Sequence, residues 1–287
     1  MGNPPGDKAP AIRAMTVADI PFCVAQTARE GWTSTPDDFA VHLAHDPDGC
    51  FTATYGNRPA AMVTTTCYGA TGWIGNLIVV PERRGARLGS LLMAKAISLL
   101  ESRGIRTLRL EADPFGINIY RRLGFLDEYD SPRFLLDSAS GPEPHSVAPL
   151  LAADLPAVTS FDAARFGDDR TRLLPLLLGR ARAAFRVPRR GAPAGYLMLL
   201  PGAHGLRIGP WVAEEPQAAH DLLRGALASA SGTGVTLAVP GPNRLAQEVV
   251  HAAGFRETPS SLRMVRGPAA GGGRPETVYA LANGAVG

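Results

Sequence analysis

The feature that most constrains this chain is an internal echo. Asp19-Ile20-Pro21 is answered by Asp154-Leu155-Pro156, and Leu123-Gly124-Phe125 by Ala253-Gly254-Phe255. Between them, Ile74-Gly75-Asn76-Leu77-Ile78-Val79 is answered by Ile208-Gly209-Pro210-Trp211-Val212-Ala213. One Gly-Phe pair carries no weight. Three matches in one order at nearly constant spacing point to a duplication, so each half is expected to fold alike. A length of 287 residues suits two domains of ordinary size. The punctuation agrees: 1–9 reads as a disordered leader, 10–137 as a first domain, 138–146 (SASGPEPHS) as a linker and 147–287 as a second domain. A further Gly-rich break, Gly267 to Pro275, precedes a strand-like run from Thr277 to Leu281.

Hydrophobic spacing gives the elements of the first half. Asp19 to Glu30 reads as a helix; Phe51 to Tyr55 and Ala60 to Cys67 read as a hairpin around Gly56-Asn57-Arg58; Trp73 to Val80 is a further strand. From Leu88 the period changes, with Leu91, Leu92, Ala96, Leu99 and Leu100 on one helical face and Arg103-Gly104 as the stop. Ile105 to Leu110 is again a strand, and Ile117 to Leu123 a short helix closed by Gly124. Antiparallel strands followed by a strand-helix-strand unit define a mixed α/β (α+β) class.

Composition narrows the function. A net charge of +3, with no basic stripe interleaved with aromatics, argues against nucleic acid. There is no apolar run long enough for a membrane span and no signal core, so a cytoplasmic location is expected. The three cysteines, Cys23, Cys50 and Cys67, form no C-x-x-C pair, so neither a disulfide framework nor a metal site is expected.

The most informative stretch runs from Asn76 to Leu92. A strand passes through Pro81 into a turn bearing Arg83, Arg84 and Arg87, and the turn opens the amphipathic helix. The first amides of a helix lack internal partners and favour an anion, whereas cations there are unfavourable unless an external polyanion neutralises them. Gly85 and Gly89 let the backbone approach a bulky ligand. This stretch resembles motif A of the GNAT acetyltransferase superfamily, in its R-G-x-G-x-G form, through Arg84, Gly85 and Gly89. Arg87 departs from it by replacing the middle glycine, either adding a phosphate-facing guanidinium or altering the pose. A second motif of the superfamily, Tyr-x-Lys/Arg-x-Gly-Phe, is matched by Tyr120, Arg122, Gly124 and Phe125. The resemblance covers residues 11–137. It implies two tandem GNAT-like folds, each a mostly antiparallel central sheet flanked by helices.

The resemblance also implies a chemistry. Acetyl-CoA or another acyl-CoA would be the co-substrate, its pantetheine arm paired with Leu77, Ile78, Val79 and Val80. Its pyrophosphate would lie on the backbone of Arg84, Gly85, Ala86, Arg87, Leu88, Gly89 and Ser90. Tyr120 would protonate the leaving thiolate. Transfer to an amine also requires the amine to be neutral: Glu111 or Asp113 are the candidate bases, with Asp113 better suited to capping the turn before Pro114 or the following helix, and attack by an amine that arrives already deprotonated is the alternative. The acceptor is expected to be a small-molecule amine. Transfer from an acyl carrier protein, or a non-catalytic acyl-CoA sensor, are the alternatives. A monomer or homodimer is expected.

In the second half the loop is replaced by Glu214, Glu215 and Pro216, which satisfy a helix start internally and repel phosphate, and Val250 answers Tyr120. This half resembles the C-terminal acetyltransferase-like domain of YitH-type tandem proteins, through segments at Phe166 to Arg170, Gly195-Tyr196, Ile208 to Ala213 and Arg263 to Gly267. It is expected to bind no coenzyme and to wall the acceptor site, with Asp169, Arg170, Trp211 and Arg263, together with Trp32 of the first half, as candidate contacts.

Overall fold

The computed structural model describes residues 9–141, 146–268 and 272–287. Most of the leader, the centre of the linker and part of the Gly-rich break therefore lie outside the described residues. The first half runs β1 (Ala11–Ala14), α1 (Ile20–Arg29), α2 (Pro36–His45), β2 (Cys50–Tyr55), β3 (Arg58–Cys67) and β4 (Thr71–Val79), then α3 (Leu88–Ser102), β5 (Thr107–Ala112), α4 (Ile117–Arg122) and β6 (Leu126–Leu136). The second half runs β7 (Ala148–Pro149), α5 (Leu155–Phe166), α6 (Leu173–Leu178), β8 (Ala183–Val187), β9 (Gly195–Gly202) and β10 (Gly205–Ala213), then α7 (Pro216–Ser229), β11 (Val235–Ala238), α8 (Arg244–Ala252) and β12 (Arg256–Arg266). The same elements occur in the same order, so the echo in the sequence is a repeat of structure. A last strand, β13 (Val278–Ala280), is added in the second half alone.

Among the described residues the strands form one sheet, in the order β1-β2-β3-β4-β5-β12-β6-β11-β10-β9-β8-β7, with β13 beside β10. The halves exchange their final long strands. β12, from the second half, lies between β5 and β6 of the first, and β6 lies between β12 and β11 of the second. Ser131 and Ser261 stand at the same distance after Phe125 and Phe255, and they face each other in the β6–β12 ladder. The ladder thus marks a local two-fold relation between the halves. The mixed, mostly antiparallel class read from the sequence holds: the strand pairs β4–β5 and β10–β11 are parallel.

The first half buries Leu88, Leu92, Met93, Ala96 and Leu100 of α3 against Leu108, Leu110 and Ala112 of β5. Alternation along a strand then sends Arg109 and Glu111 to the other face, the one covered by α1 and α2. On that face Tyr68 and Trp73 share a cluster with Phe161 of α5, Leu173 and Leu177 of α6, and Met198 of β9. The hydrophobic core is therefore continuous across the halves. Polar contacts reinforce it: Asp38 of α2 accepts from Arg180 (2.6 Å) and Arg207 (2.8 Å). No helix among the described residues is long and apolar enough to cross a membrane.

Candidate active site

The site starts from a fault in β4. Asn76 adopts φ 52°, in the left-handed region that an L side chain rarely occupies, and the β3–β4 register slips there. Asn76 Nδ2 donates to Thr64 Oγ1 (3.1 Å) and lies 3.2 Å from His42 Nε2, which holds the bulge from behind. Burial lowers His42 to about 4, so the ring is neutral and its Nε2 can accept. The bulge bends β4 away from β5. Their parallel ladder ends at the rung Trp73–Arg109, and among the described residues no strand pairs with Gly75 to Val79 on that side. A wedge opens between the two strands.

At its outer end the wedge meets the turn before α3. Among the described residues, the amides of Gly85, Arg87, Leu88, Gly89 and Ser90 make no hydrogen bond to a backbone carbonyl, and Leu91 is the first to do so, to Arg87 (3.0 Å). Five free amides at the positive end of a fifteen-residue helix make an anion cradle. Gly89 belongs to that cradle: a Cβ there would meet Val79 Cγ2 at 3.6 Å, an ordinary contact. Packing of the protein thus makes no demand for glycine at 89, and the space is left for something outside the chain.

Three of the expected coenzyme contacts need correction. The amides of Arg84 and Ala86 are turned inward, to Pro81 O (3.2 Å) and Arg83 O (3.3 Å). The Arg84 guanidinium is committed to Glu30 and to Val79 O (3.1 Å from Nε), so it braces the loop and also occupies one of the carbonyls expected to face the pantetheine arm. Arg87 takes φ 62°, ψ 7°, the conformation usual for glycine. The tight turn survives its missing glycine at a cost of about 1 kcal/mol.

The expected catalytic residues gather at the inner end. Tyr120 is half-buried, its ring edge against Phe125 (6.1 Å). Burial, and then the charge of Asp113, hold its phenol above the usual range, so it stays protonated at neutral pH. Glu111 is the first side chain of β5 beyond the last rung on the α1/α2 face. Its carboxylate accepts from Ser131 Oγ (3.1 Å) and Ser261 Oγ (2.7 Å). Burial raises its pKa, against the pull of Arg263, the two serines and Arg133. Asp113 is neither a free base nor a turn cap. Its oxygens accept from Trp32 Nε1 (2.8 Å) and Arg133 (2.7 Å), tying the segment after α1 to the exchanged strand. Trp32 stands at the site by that bond.

The candidates of the second half divide. Arg263 enters the site on β12, stacked over Trp73 (4.7 Å) and bonded through Nε to Glu128 (2.9 Å), which also holds Arg109. Asp169 is exposed and accepts from the Thr171 amide (2.7 Å), a local turn. Arg170 and Trp211 are no acceptor contacts. Arg170 is 1% exposed and bound to Asp162 through two nitrogens (2.8 and 2.5 Å), while Trp211 is fully enclosed against Tyr279. Sequence reasoning missed Ser131, Ser261, Arg133 and Glu128. They come from strands whose partners lie in the other half, and local periodicity carries no sign of that exchange.

In the second half the same wedge is closed. β10 and β11 part after the rung Arg207–Thr236, which corresponds to Trp73–Arg109. β13 then enters the gap, pairing with Trp211 and Val212 while Leu281 N donates to Ala238 O of β11 (2.9 Å). The chain's own strand occupies the wedge. The expected loss of the phosphate loop is also clear: Glu214 is paired to Arg165 and Arg274, and Glu215 to Arg189.

Comparison with known proteins finds a family model for each half. The acetyltransferase (GNAT) family model matches residues 20–125, and a second acetyltransferase (GNAT) domain model matches residues 158–280. The chain therefore carries two GNAT acetyltransferase domains. A curated relative, an uncharacterized N-acetyltransferase named ycf52 from Gracilaria tenuistipitata var. liui, is 37% identical over 71 residues, which are 25% of this chain and 38% of that protein. The chain thus spans well under half of that relative's length. Among solved structures, one from Pyrococcus horikoshii described as an acetyltransferase superposes with TM-score 0.86 at 23% identity, covering 100% of this chain and 99% of its own. A tandem GNAT protein from the clavulanic acid biosynthesis pathway superposes with TM-score 0.63 at 16% identity, covering 90% of this chain and 98% of its own. Both likenesses are of fold.

Proposed function

We propose that the protein transfers an acyl group from acyl-CoA to the amine of a small molecule, and that the first half holds the coenzyme. The observation that carries this reading is the contrast between two equivalent wedges: one is open and faces a helix start with free amides, the other is filled by β13. The amides from Gly85 to Ser90, other than that of Ala86, would take the pyrophosphate, and the free edge of β4 the pantetheine arm. The coenzyme supplies an acyl thioester at the inner end of the wedge.

Glu111 and Tyr120 then handle protons. An ammonium acceptor must lose two protons as the C–N bond forms and the C–S bond breaks. Glu111 accepts one and passes it to solvent; the other reaches the leaving sulfur by way of Tyr120. Close to Glu111 lie Trp32, bonded to Asp113, and residues 284 and 285, with Trp73 Nε1 donating to Gly284 O (3.0 Å) and Ala285 lying against Gly75. Chain segments packed this near the proposed base favour a small acceptor over a bulky one. Calorimetry with acetyl-CoA, followed by a panel of primary amines with thiol release as readout, tests the reading. We expect one site per chain, lost in a Gly85/Gly89 double variant. Absence of binding in the wild type overturns it. Tyr120→Phe should lower kcat by roughly 100-fold with little change in coenzyme affinity.

A further inference from the structure

We infer that the second half completes the active site of the first through one side chain at the symmetry axis: Ser261, paired with Ser131, positions the Glu111 carboxylate that receives the acceptor's proton. This inference rests on the proposed function. It goes beyond that reading by assigning a part in the reaction to the half that holds no coenzyme.

The geometry is specific. Ser131 and Ser261 sit opposite each other at the centre of the β6–β12 ladder. A two-fold arrangement would offer this pair to two carboxylates, one on each side. Only one exists. The rung correspondence between Trp73–Arg109 and Arg207–Thr236 places Ala238 where Glu111 would recur. Both hydroxyls therefore turn to the same carboxylate, Ser131 to Oε1 and Ser261 to Oε2. Each serine is almost wholly buried, at 0% and 3% exposure, so neither is exchanging its hydrogen bond with bulk water. Glu111 itself is half-buried, and its Cβ and Cγ lie toward the loop at Gly284.

The surroundings explain why two neutral donors are suited to the task. Glu111 faces Arg263 from β12, Arg133 and Tyr129 from β6, and Gly284 from the segment 282–287. The two arginines have other carboxylates to serve: Arg263 holds Glu128, and Arg133 holds Asp113. Charge at a distance keeps Glu111 ionisable, while the hydroxyls fix the direction of its oxygens. A hydroxyl bonded to a carboxylate stabilises the charged form without neutralising it, as a direct ion pair would. A carboxylate so held remains able to take a proton from an ammonium.

The test uses the full chain labelled with 13C at the glutamate carboxyls. The Glu111 resonance is assigned by its loss in Glu111→Gln and followed against pH, with no ligand present. In Ser261→Ala and in Ser131→Ala the midpoint should rise by about one pH unit, since each hydroxyl favours the ionised form. Ser261→Thr, which keeps the hydroxyl, should bring it back. With acetyl-CoA and an amine found by the panel, the acid limb of kcat/KM should move up in step, while calorimetric affinity for acetyl-CoA stays the same. A Glu111 midpoint unmoved by Ser261→Ala overturns the inference, as does an acid limb that ignores the midpoint, and the acyl-transfer reading survives both. Full activity of Glu111→Gln also overturns it. Failure of the wild type to bind acetyl-CoA removes the acyl-transfer reading, and the catalytic part of the inference with it.

Discussion

At the residue scale, two positions of the loop before α3 pull against each other. Gly89 lies in the first turn of a helix, where glycine costs about 1 kcal/mol relative to alanine. Since a Cβ at 89 meets no obstacle in the protein, Gly89→Ala should stabilise the chain by about 0.5–1 kcal/mol in a thermal melt. The same methyl would stand in the amide cradle, and acetyl-CoA affinity should fall at least tenfold. A variant that is both more stable and equally tight would deny glycine 89 its role. Arg87 shows the reverse: the left-handed backbone penalises an arginine, yet arginine is there, where its charge would face a pyrophosphate. These two readings were legible in the sequence, because both belong to a contiguous loop. The four residues around Glu111 and Arg263 were not. Ser131, Ser261, Arg133 and Glu128 look like ordinary strand residues until β6 and β12 are seen side by side.

At the scale of elements, α2 escaped the sequence because its buried face is polar. Of its four buried residues only Phe39 is apolar, and Asp38, His42 and His45 do the rest of the packing. What starts it is chemical: the Thr35 amide donates to Asp38 Oδ2 (2.7 Å), and Pro36 sits at the first helical position. Asp38 also docks the helix onto the second half. Burial pushes its carboxyl up, but Arg207 and Arg180 outweigh that and hold it below the usual range. A depressed carboxyl stabilises the fold above its unfolded pKa, about 3.9, and loses that contribution as pH falls through its folded pKa. Asp38→Asn should therefore melt well below the wild type at pH 7, by about 3 kcal/mol. The gap should close as the pH is taken below about 4; a gap constant with pH would place the cost in the helix cap alone. In the second half, β13 was legible as a strand but its place was not, since a run from Thr277 to Leu281 says nothing about which gap it fills.

At the scale of the molecule, the exchange of β6 and β12 makes neither half self-sufficient. A chain of residues 1–141 would leave β5 without its neighbour and β6 without either partner, exposing a broad sheet edge. It should be unfolded or aggregated by circular dichroism and light scattering. Coexpression with residues 146–287 should restore a soluble one-to-one complex. Two well-folded, separate halves would contradict this. The buried pair Arg170–Asp162 offers an independent check on the shared core, since it lies beneath the cluster that joins Phe166 to Tyr68. Asp162→Asn should cost about 3–5 kcal/mol in one cooperative transition, not in a separate melt of the second half. The repeat, the class of fold and the asymmetry of the phosphate loop could all be read along the chain. The exchange could not, because a strand's pattern records that it is buried and not whose strand buries it.

The reciprocal exchange also carries a history. Each half gives the other the strand it receives, about an axis through Ser131 and Ser261. That is the isologous interface of a homodimer whose subunits trade strands. Fusing two copies of a gene for such a subunit requires only a tether from the end of β6 to the start of β7, where the linker lies. Once fused, the copies are free to diverge. One kept an open wedge and gained or held Glu111; the other closed its wedge with β13, carries Ala238, and still supplies its serine to the neighbour. A dimer must mutate both of its sites at once. Under the proposed function, covalent union lets one site persist while the other half becomes part of its wall.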